Sequence, residues 1–209
     1  MQAYITEQFL HKYKFKFSDM DLKDLIFKTR SYRRFDESCR IDYKTLEKLV
    51  DLARLSASGG NRQPLKYLIY NSPEDCSRVF PSVVWAAYLK DWSGPGPGER
   101  PSAYIIILGD RSIFETFGVD HGIAAQSIML GATEAGFGGC MIASIKRELL
   151  RDELKIPDRF DILLILALGK PVEKVIIEEI RNGDVKYWRD AEKGHHVPKR
   201  PLGELIMKL

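Results

Sequence analysis

Hydrophobic positions along the chain fall into two rhythms, broken by stretches with none. Helical spacing comes first. Leu22, Leu25 and Ile26 mark a short helix that Ser18 and Asp19 are placed to cap. Leu46, Leu49, Val50 and Ala53 form the buried stripe of a longer helix opened by Asp42. Residues 119–135 give the longest helical pattern, crowded with small residues such as Gly122, Ala124, Ala125, Gly131 and Ala132. Small residues let neighbouring backbones approach, so this helix is expected at the centre of the core or along a subunit seam. A further helix is predicted over 146–154. Strands read differently. Residues 66–70 are rich in β-branched and aromatic side chains. Residues 103–108 are almost continuously apolar, the pattern of a strand buried on both faces, and 162–168 complete the core.

The stretches without rhythm carry the candidate chemistry. Thr29-Arg-Ser-Tyr-Arg-Arg-Phe-Asp36 follows the first helix. In extended chain Ser31 and Arg33 share one side and Arg30, Tyr32 and Arg34 the other. A helix ending at Arg30 still brings Arg30, Ser31 and Arg33 around one anion. Guanidinium forks and a hydroxyl suit a phosphate; the alternative is a solvated basic connector. Ser56-Ala-Ser-Gly-Gly-Asn-Arg-Gln-Pro64 ends the second helix. It reads either as a loop that approaches a flat ligand, with Ser58, Asn61 and Gln63 as polar partners, or as a plain helix-to-strand connection.

Residues 72–101 are expected to be irregular. Trp85, Tyr88 and Trp92 precede Gly94-Pro-Gly-Pro-Gly98, either as a mobile aromatic lid over a pocket or with the tryptophans simply filling core. Gly136 ends the long helix, and Gly138-Gly-Cys-Met-Ile-Ala-Ser144 again brings backbone amides within reach of a ligand. The run of alternating basic and aromatic residues from His11 to Phe17 reads as an edge strand or a contact arm. The charged tail from residue 172 onward, poor in periodicity, is expected to lie on a partner subunit.

Composition narrows the classes. The chain has 209 residues, 44% hydrophobic and 29% charged, with a net charge of +3. That is an ordinary soluble balance and no argument for nucleic acid. No apolar run is long enough for a signal or a bilayer span, so a cytoplasmic protein without a membrane partner is expected. Three dispersed cysteines suit free thiols better than a disulfide framework. Cys140 reads as a small apolar strand residue rather than a nucleophile. No dinucleotide or phosphate-binding glycine motif, serine elbow or metal-spaced histidine pair is present. An anion clamp with glycine-rich loops and no evident acid, base or metal suggests a cofactor that carries the reaction itself.

Five segments in register resemble the FMN-dependent nitroreductase family: Arg30-Ser-Tyr-Arg33 with Phe35, the 56–64 loop, Asp120 to Leu130 with Ala135-Gly-Phe-Gly-Gly139, Leu166-Ala-Leu-Gly-Lys-Pro171, and Pro198 to Leu202. The resemblance implies one α+β domain over 1–209, a mixed β-sheet flanked by helices, in an intertwined homodimer. Residues 170–209 would be the extension wrapping the partner. It also implies FMN as cofactor and NADH or NADPH as reductant, with a flat acceptor such as a nitroaromatic or quinone. Arg30, Ser31, Tyr32 and Arg33 would form the phosphate end with Lys199 or Arg200. Ser58 and Gly59, assisted by Asn61 and Gln63, would reach the ring from the other subunit. Ile142, Ala143 and Ser144 would supply amides at the ring edge, and no protein residue is assigned a catalytic role. Reductive dehalogenation, flavin fragmentation and low-turnover flavin storage stay open. Tyr32, where a small apolar residue is usual, and Leu65, where an aromatic is common, depart from the pattern.

Overall fold

A computed structural model of the chain describes residues 20–208; the His11–Phe17 run and the expected caps Ser18 and Asp19 lie outside them. The architecture is α+β, a five-stranded sheet with helices on both faces. In chain order the main elements are α1 (Leu22–Lys28), β1 (Phe35–Asp36), α2 (Tyr43–Leu55), β2 (Leu65–Tyr70), α3 (Pro73–Val79), β3 (Ala103–Asp110), α4 (Asp120–Glu134), β4 (Gly138–Ile142), α5 (Arg147–Leu154) and β5 (Phe160–Pro171). A tail follows, with β6 (Val175–Glu179), β7 (Trp188–Arg189), β8 (His195–Lys199) and α6 (Leu202–Leu205).

β5 is the spine. It pairs with β3 along one edge, from Ala103↔Leu168 to Asp110↔Phe160 with a bulge at Ile107/Leu108. β4 pairs with it from Gly138↔Gly169 to Ile142↔Ile165, and β1 pairs at its end through Phe35↔Pro171. β2 extends the sheet beyond β3. All four ladders are antiparallel; parallel pairing enters through an isolated Ser31↔Gly139 bridge and the β6–β8 ladder of the tail. Strand periodicity separates two cores. Ile105, Ile107, Leu166 and Leu168 face α2 and α4, where Leu46, Leu49, Ala125 and Ile128 are buried. Tyr104, Ile106, Ile165 and Ala167 face the other way, onto Cys76, Val79, Trp85 and Leu150. Each fully buried aliphatic contributes roughly 1.5–3 kcal/mol.

The small residues of α4 do what their size permits. A Cβ on Gly131 would lie 2.3 Å from Leu52 Cδ1, so α2 and α4 are in backbone-close contact. Asp42 caps α2 by accepting the Thr45 N–H. α1 is capped by Asp21, which accepts the Asp24 N–H, two residues after Asp19 of the expected pair. One expectation needs correction. The 72–101 stretch is not irregular throughout, because Ser72 caps α3 with Pro73 in its first turn, a strong helix start. In the tail, β6 and β8 pair in parallel and β7 adds to β8. Among the described residues no helix is long and apolar enough to cross a membrane.

β4 is pinned where it passes the C-terminal part of β5. A Cβ on Gly139 would sit 2.4 Å from the Ala167 carbonyl oxygen, a backbone atom that cannot step aside. Gly139→Ala is therefore expected to cost about 1–3 kcal/mol and to lower the melting temperature in a thermal scan. An unchanged melting temperature would mean that the strands are not this close.

Candidate functional site

The arginine stretch leaves α1 and runs extended along β4. Ser31 bridges Gly139, and the Tyr32 N–H donates to the Gly139 carbonyl at 2.9 Å. This path sorts the arginines. Arg34 is held by Glu99 through Nε and Nη2. Tyr32 also turns away: its hydroxyl donates to Lys28 O at 3.0 Å and its ring lies against Gly138, outside the cleft. Arg30, Ser31 and Arg33 share a cleft of about 340 Å³ with Lys199 of β8 and with Gln126 and Met141. Part of Arg30 is already spent, since it donates to Ile26 O and Thr29 O, both at 2.6 Å. Those are carbonyls that the end of a short helix leaves without partners. Arg200 does not join the cleft; it pairs with Glu204 at 3.0 Å.

The tail builds the other wall. Glu173, buried, accepts the Arg33 backbone N–H at 2.9 Å and Arg189 Nη2 at 2.6 Å. His195 is 1% exposed, and its Nε2 lies 3.2 Å from Arg33 Nη1. A guanidinium only donates, so Nε2 accepts and the ring proton sits on Nδ1, which has no partner. Burial pushes the His195 pKa down to about 4, and Arg33 and Arg189 push the same way against Glu173. The ring is neutral at pH 7. Tyr187 completes this wall, 4.9 Å from the Arg33 guanidinium carbon and 5.2 Å from the His195 ring. The next histidine has the opposite character. His196 lies between Asp190 at 3.0 Å and Glu178 at 3.2 Å, stacked on Trp188 at 4.0 Å. The Asp190 contact first, then Glu178, raises its pKa.

A second cleft of about 170 Å³ shares Arg33, Met141 and Tyr187 with the first and continues along residues 142–144 and 84–87. The Ser144 carbonyl accepts the Val84 N–H at 3.0 Å. The Ala143 and Ser144 N–H groups make no hydrogen bond among the described residues. Ile142 is buried, while Ala143 and Ser144 are exposed. Cys140 borders this cleft, but burial pushes its thiol pKa up, so it is an inert strand residue.

The 58–63 loop lies elsewhere in the chain. Ser58 Oγ donates to Asp120 at 2.6 Å and the Gly59 N–H donates to the same carboxylate at 2.9 Å. Gln63 Nε2 donates to Asn61 Oδ1 at 3.1 Å, and Gly60, Asn61 and Gln63 are all left-handed, with φ of 58°, 53° and 52°. Ser58 and Gln63 line a separate cleft of about 230 Å³, so one chain does not bring them to Arg33.

The aromatic trio divides. Trp85 is buried, with Trp92 edge-on at 6.4 Å and Gly94 tight against its ring. Trp92 is half-buried under the Arg189 guanidinium, whose carbon is 4.2 Å from the ring centroid. Both tryptophans pack into the second core, and Trp85 also lines the second cleft; of the three, Tyr88 alone is exposed, 4.9 Å from Tyr187. Trp92→Ala is accordingly expected to cost about 2–3 kcal/mol, below the 3–5 of a fully buried aromatic. A lower melting temperature with both half-reactions slowed equally is the expected result. A rise in acceptor KM alone would restore the lid.

Sequence reasoning missed Glu173, Tyr187, Arg189 and His195. Tyr187 and Arg189 lie in the Tyr187-Trp-Arg-Asp190 run, whose aromatic and charged density in a tail was the available signal.

A sheet end carrying a cationic cleft, with free amides beside it, suits the binding of an anionic cofactor. The comparisons agree: the nitroreductase family model matches residues 26–170, and the chain belongs to that family, whose members are oxidoreductases using FMN with NAD(P)H. An Archaeoglobus fulgidus protein named as an NADH dehydrogenase/NAD(P)H nitroreductase is 23% identical over 158 residues, covering 72% of this chain and 85% of that one. The solved FMN-dependent nitroreductase of Clostridium difficile superposes with a TM-score of 0.57 at 22% identity, covering 76% of this chain and 91% of that one. A nitroreductase-like protein of Streptococcus mutans reaches 0.67 at 13% identity, covering 90% and 97%.

Proposed function

We propose that the chain is a cytoplasmic NAD(P)H-dependent FMN oxidoreductase that reduces a flat acceptor, a nitroaromatic or quinone, in two alternating half-reactions. The observation that carries this is the continuity of two clefts through Arg33: cations and a serine on one side, unpartnered amides on the other. The donor set fits FMN. Arg33, Ser31, Lys199 and the remaining nitrogen of Arg30 would hold the phosphate, and the Ala143 and Ser144 amides would hold the ring. When bound, FMN supplies the redox chemistry, accepting hydride from the nicotinamide and passing it to the acceptor. The protein's part is to orient both partners, keep water out, and offer positive charge and amide donors where negative charge develops.

The working unit in this reading is a homodimer. α1 buries none of its residues and exposes Leu22, Ile26 and Phe27; Leu202, Leu205, Ile206 and Met207 are exposed at the other end. Apolar surface on this scale calls for a partner. In an isologous pair the 58–63 loop of one copy would complete the other's ring site, and the tail would lie on the partner.

Purified protein should be yellow, and acid should release FMN rather than FAD. Stopped-flow mixing with NADH or NADPH should bleach it, and a quinone or nitroaromatic should restore the colour. Colourless protein that also refuses added FMN would end the proposal.

A further inference from the structure

We infer that His195 is a positioning residue that keeps the Arg33 guanidinium free of an ion pair and aimed for the anion by holding it with a neutral acceptor. The inference deepens the proposed FMN site and rests on it. Two arginines of this region have no ion pair to a carboxylate among the described residues: Arg30, spent on two backbone carbonyls, and Arg33. Arg34 has Glu99, Arg189 has Glu173 and Arg200 has Glu204. The partners of Arg33 are the Ser31 carbonyl at 3.2 Å, His195 Nε2 at 3.2 Å and the face of Tyr187. None of these neutralises it.

The arrangement is made, not incidental. Glu173 sits close enough to accept the Arg33 backbone N–H, so it is the carboxylate onto which that guanidinium would fold. The tail gives Glu173 to Arg189 instead and puts His195 at the Arg33 side chain. The cost is visible: the His195 Nδ1–H is buried with no partner among the described residues. A guanidinium closed onto a carboxylate offers an added anion far less attraction than one held by an imidazole lone pair. β8, which carries His195 and the cleft's Lys199, lies beyond the part of the chain that the family model matches. The tail thus supplies one cation of the cleft, Lys199, and the neutral partner of another, Arg33.

The test is a double-mutant cycle on FMN affinity, read by quenching of flavin fluorescence on the full-length apoprotein, with folding followed by circular dichroism. His195→Ala should weaken FMN binding about 10-fold, the scale of one hydrogen bond to a charged group, and less than 2-fold when Arg33 is already Ala. His195→Phe fills the same space without an acceptor and should behave like His195→Ala. His195→Gln restores an acceptor oxygen and should bind within about 3-fold of the native protein. Independent losses from His195→Ala and Arg33→Ala, or native affinity in His195→Phe, would reduce His195 to packing and overturn the inference. A native protein that takes up no FMN would instead remove the underlying reading, and the inference with it.

Discussion

Arg33→Ala should weaken FMN binding by roughly 2–3 kcal/mol, about 30- to 150-fold. It should do so without unfolding the protein. The side chain lies at the edge of two clefts and buries no apolar surface in either core. The Arg33 bond to Glu173 comes from its backbone N–H, which the substitution leaves in place. Arg34→Ala is the control. It removes a fork onto Glu99 away from the cleft, so it should lower stability modestly and leave FMN affinity within a few-fold. Titration of apoprotein with FMN, beside a thermal melt of each variant, separates the two. Equal affinity losses for both would show that the arginine stretch acts as a diffuse basic surface rather than a clamp.

That contrast was partly legible in the chain. Extended alternation alone puts Arg30, Tyr32 and Arg34 on one side, which would have grouped the wrong pair of arginines. What rescues the clamp is the end of α1, which brings Arg30 back beside Ser31 and Arg33. The pull of Arg34 toward Glu99 was invisible, because 65 residues separate the two. The core read well for a simple reason. β3, β5 and the small-residue face of α4 are buried by apolar side chains, and apolar spacing is what a sequence displays. β5 proved longer than its apolar run because Gly169, Lys170 and Pro171 look like a turn. Their pairing comes from β4 and β1, and Gly169 leaves room for the Phe35 ring, 2.9 Å from where a Cβ would lie.

The tail was illegible for the opposite reason. Its buried side chains are Glu173 and His195, which no hydrophobic pattern marks. Pro198 in β8 argues against a central strand. It is tolerated because β7 pairs only with His195 and His196, leaving that flank of β8 open at Pro198. Charge pairing rather than apolar burial orders this segment. Partners 140 residues apart, such as the Arg33 backbone N–H and the Glu173 carboxylate, cannot be read from spacing.

Truncation after Val172 should therefore separate the fold from the site. The cut keeps Pro171, which pairs with Phe35, and the Val172 N–H, which donates to Arg34 O at 3.1 Å. Both hydrophobic cores stay intact but for Tyr187, a peripheral contact of the second. Lost are Lys199, the Glu173 and His195 bonds to Arg33, and the Arg189 cover over Trp92. Two charge-assisted contacts at about 1.5–3 kcal/mol each put the expected loss of FMN affinity at roughly 3–6 kcal/mol, 100-fold or more. The dimer should weaken in the same step if the tail lies on the partner. The full chain is expected to sediment as a dimer at low micromolar concentration, and the truncated chain as a flavin-free monomer or an insoluble product. Truncated protein that kept native far-ultraviolet circular dichroism and lost only FMN would place the tail's role in the cleft alone. Truncated protein that stayed yellow and dimeric would show that neither the clamp nor the subunit contact depends on it.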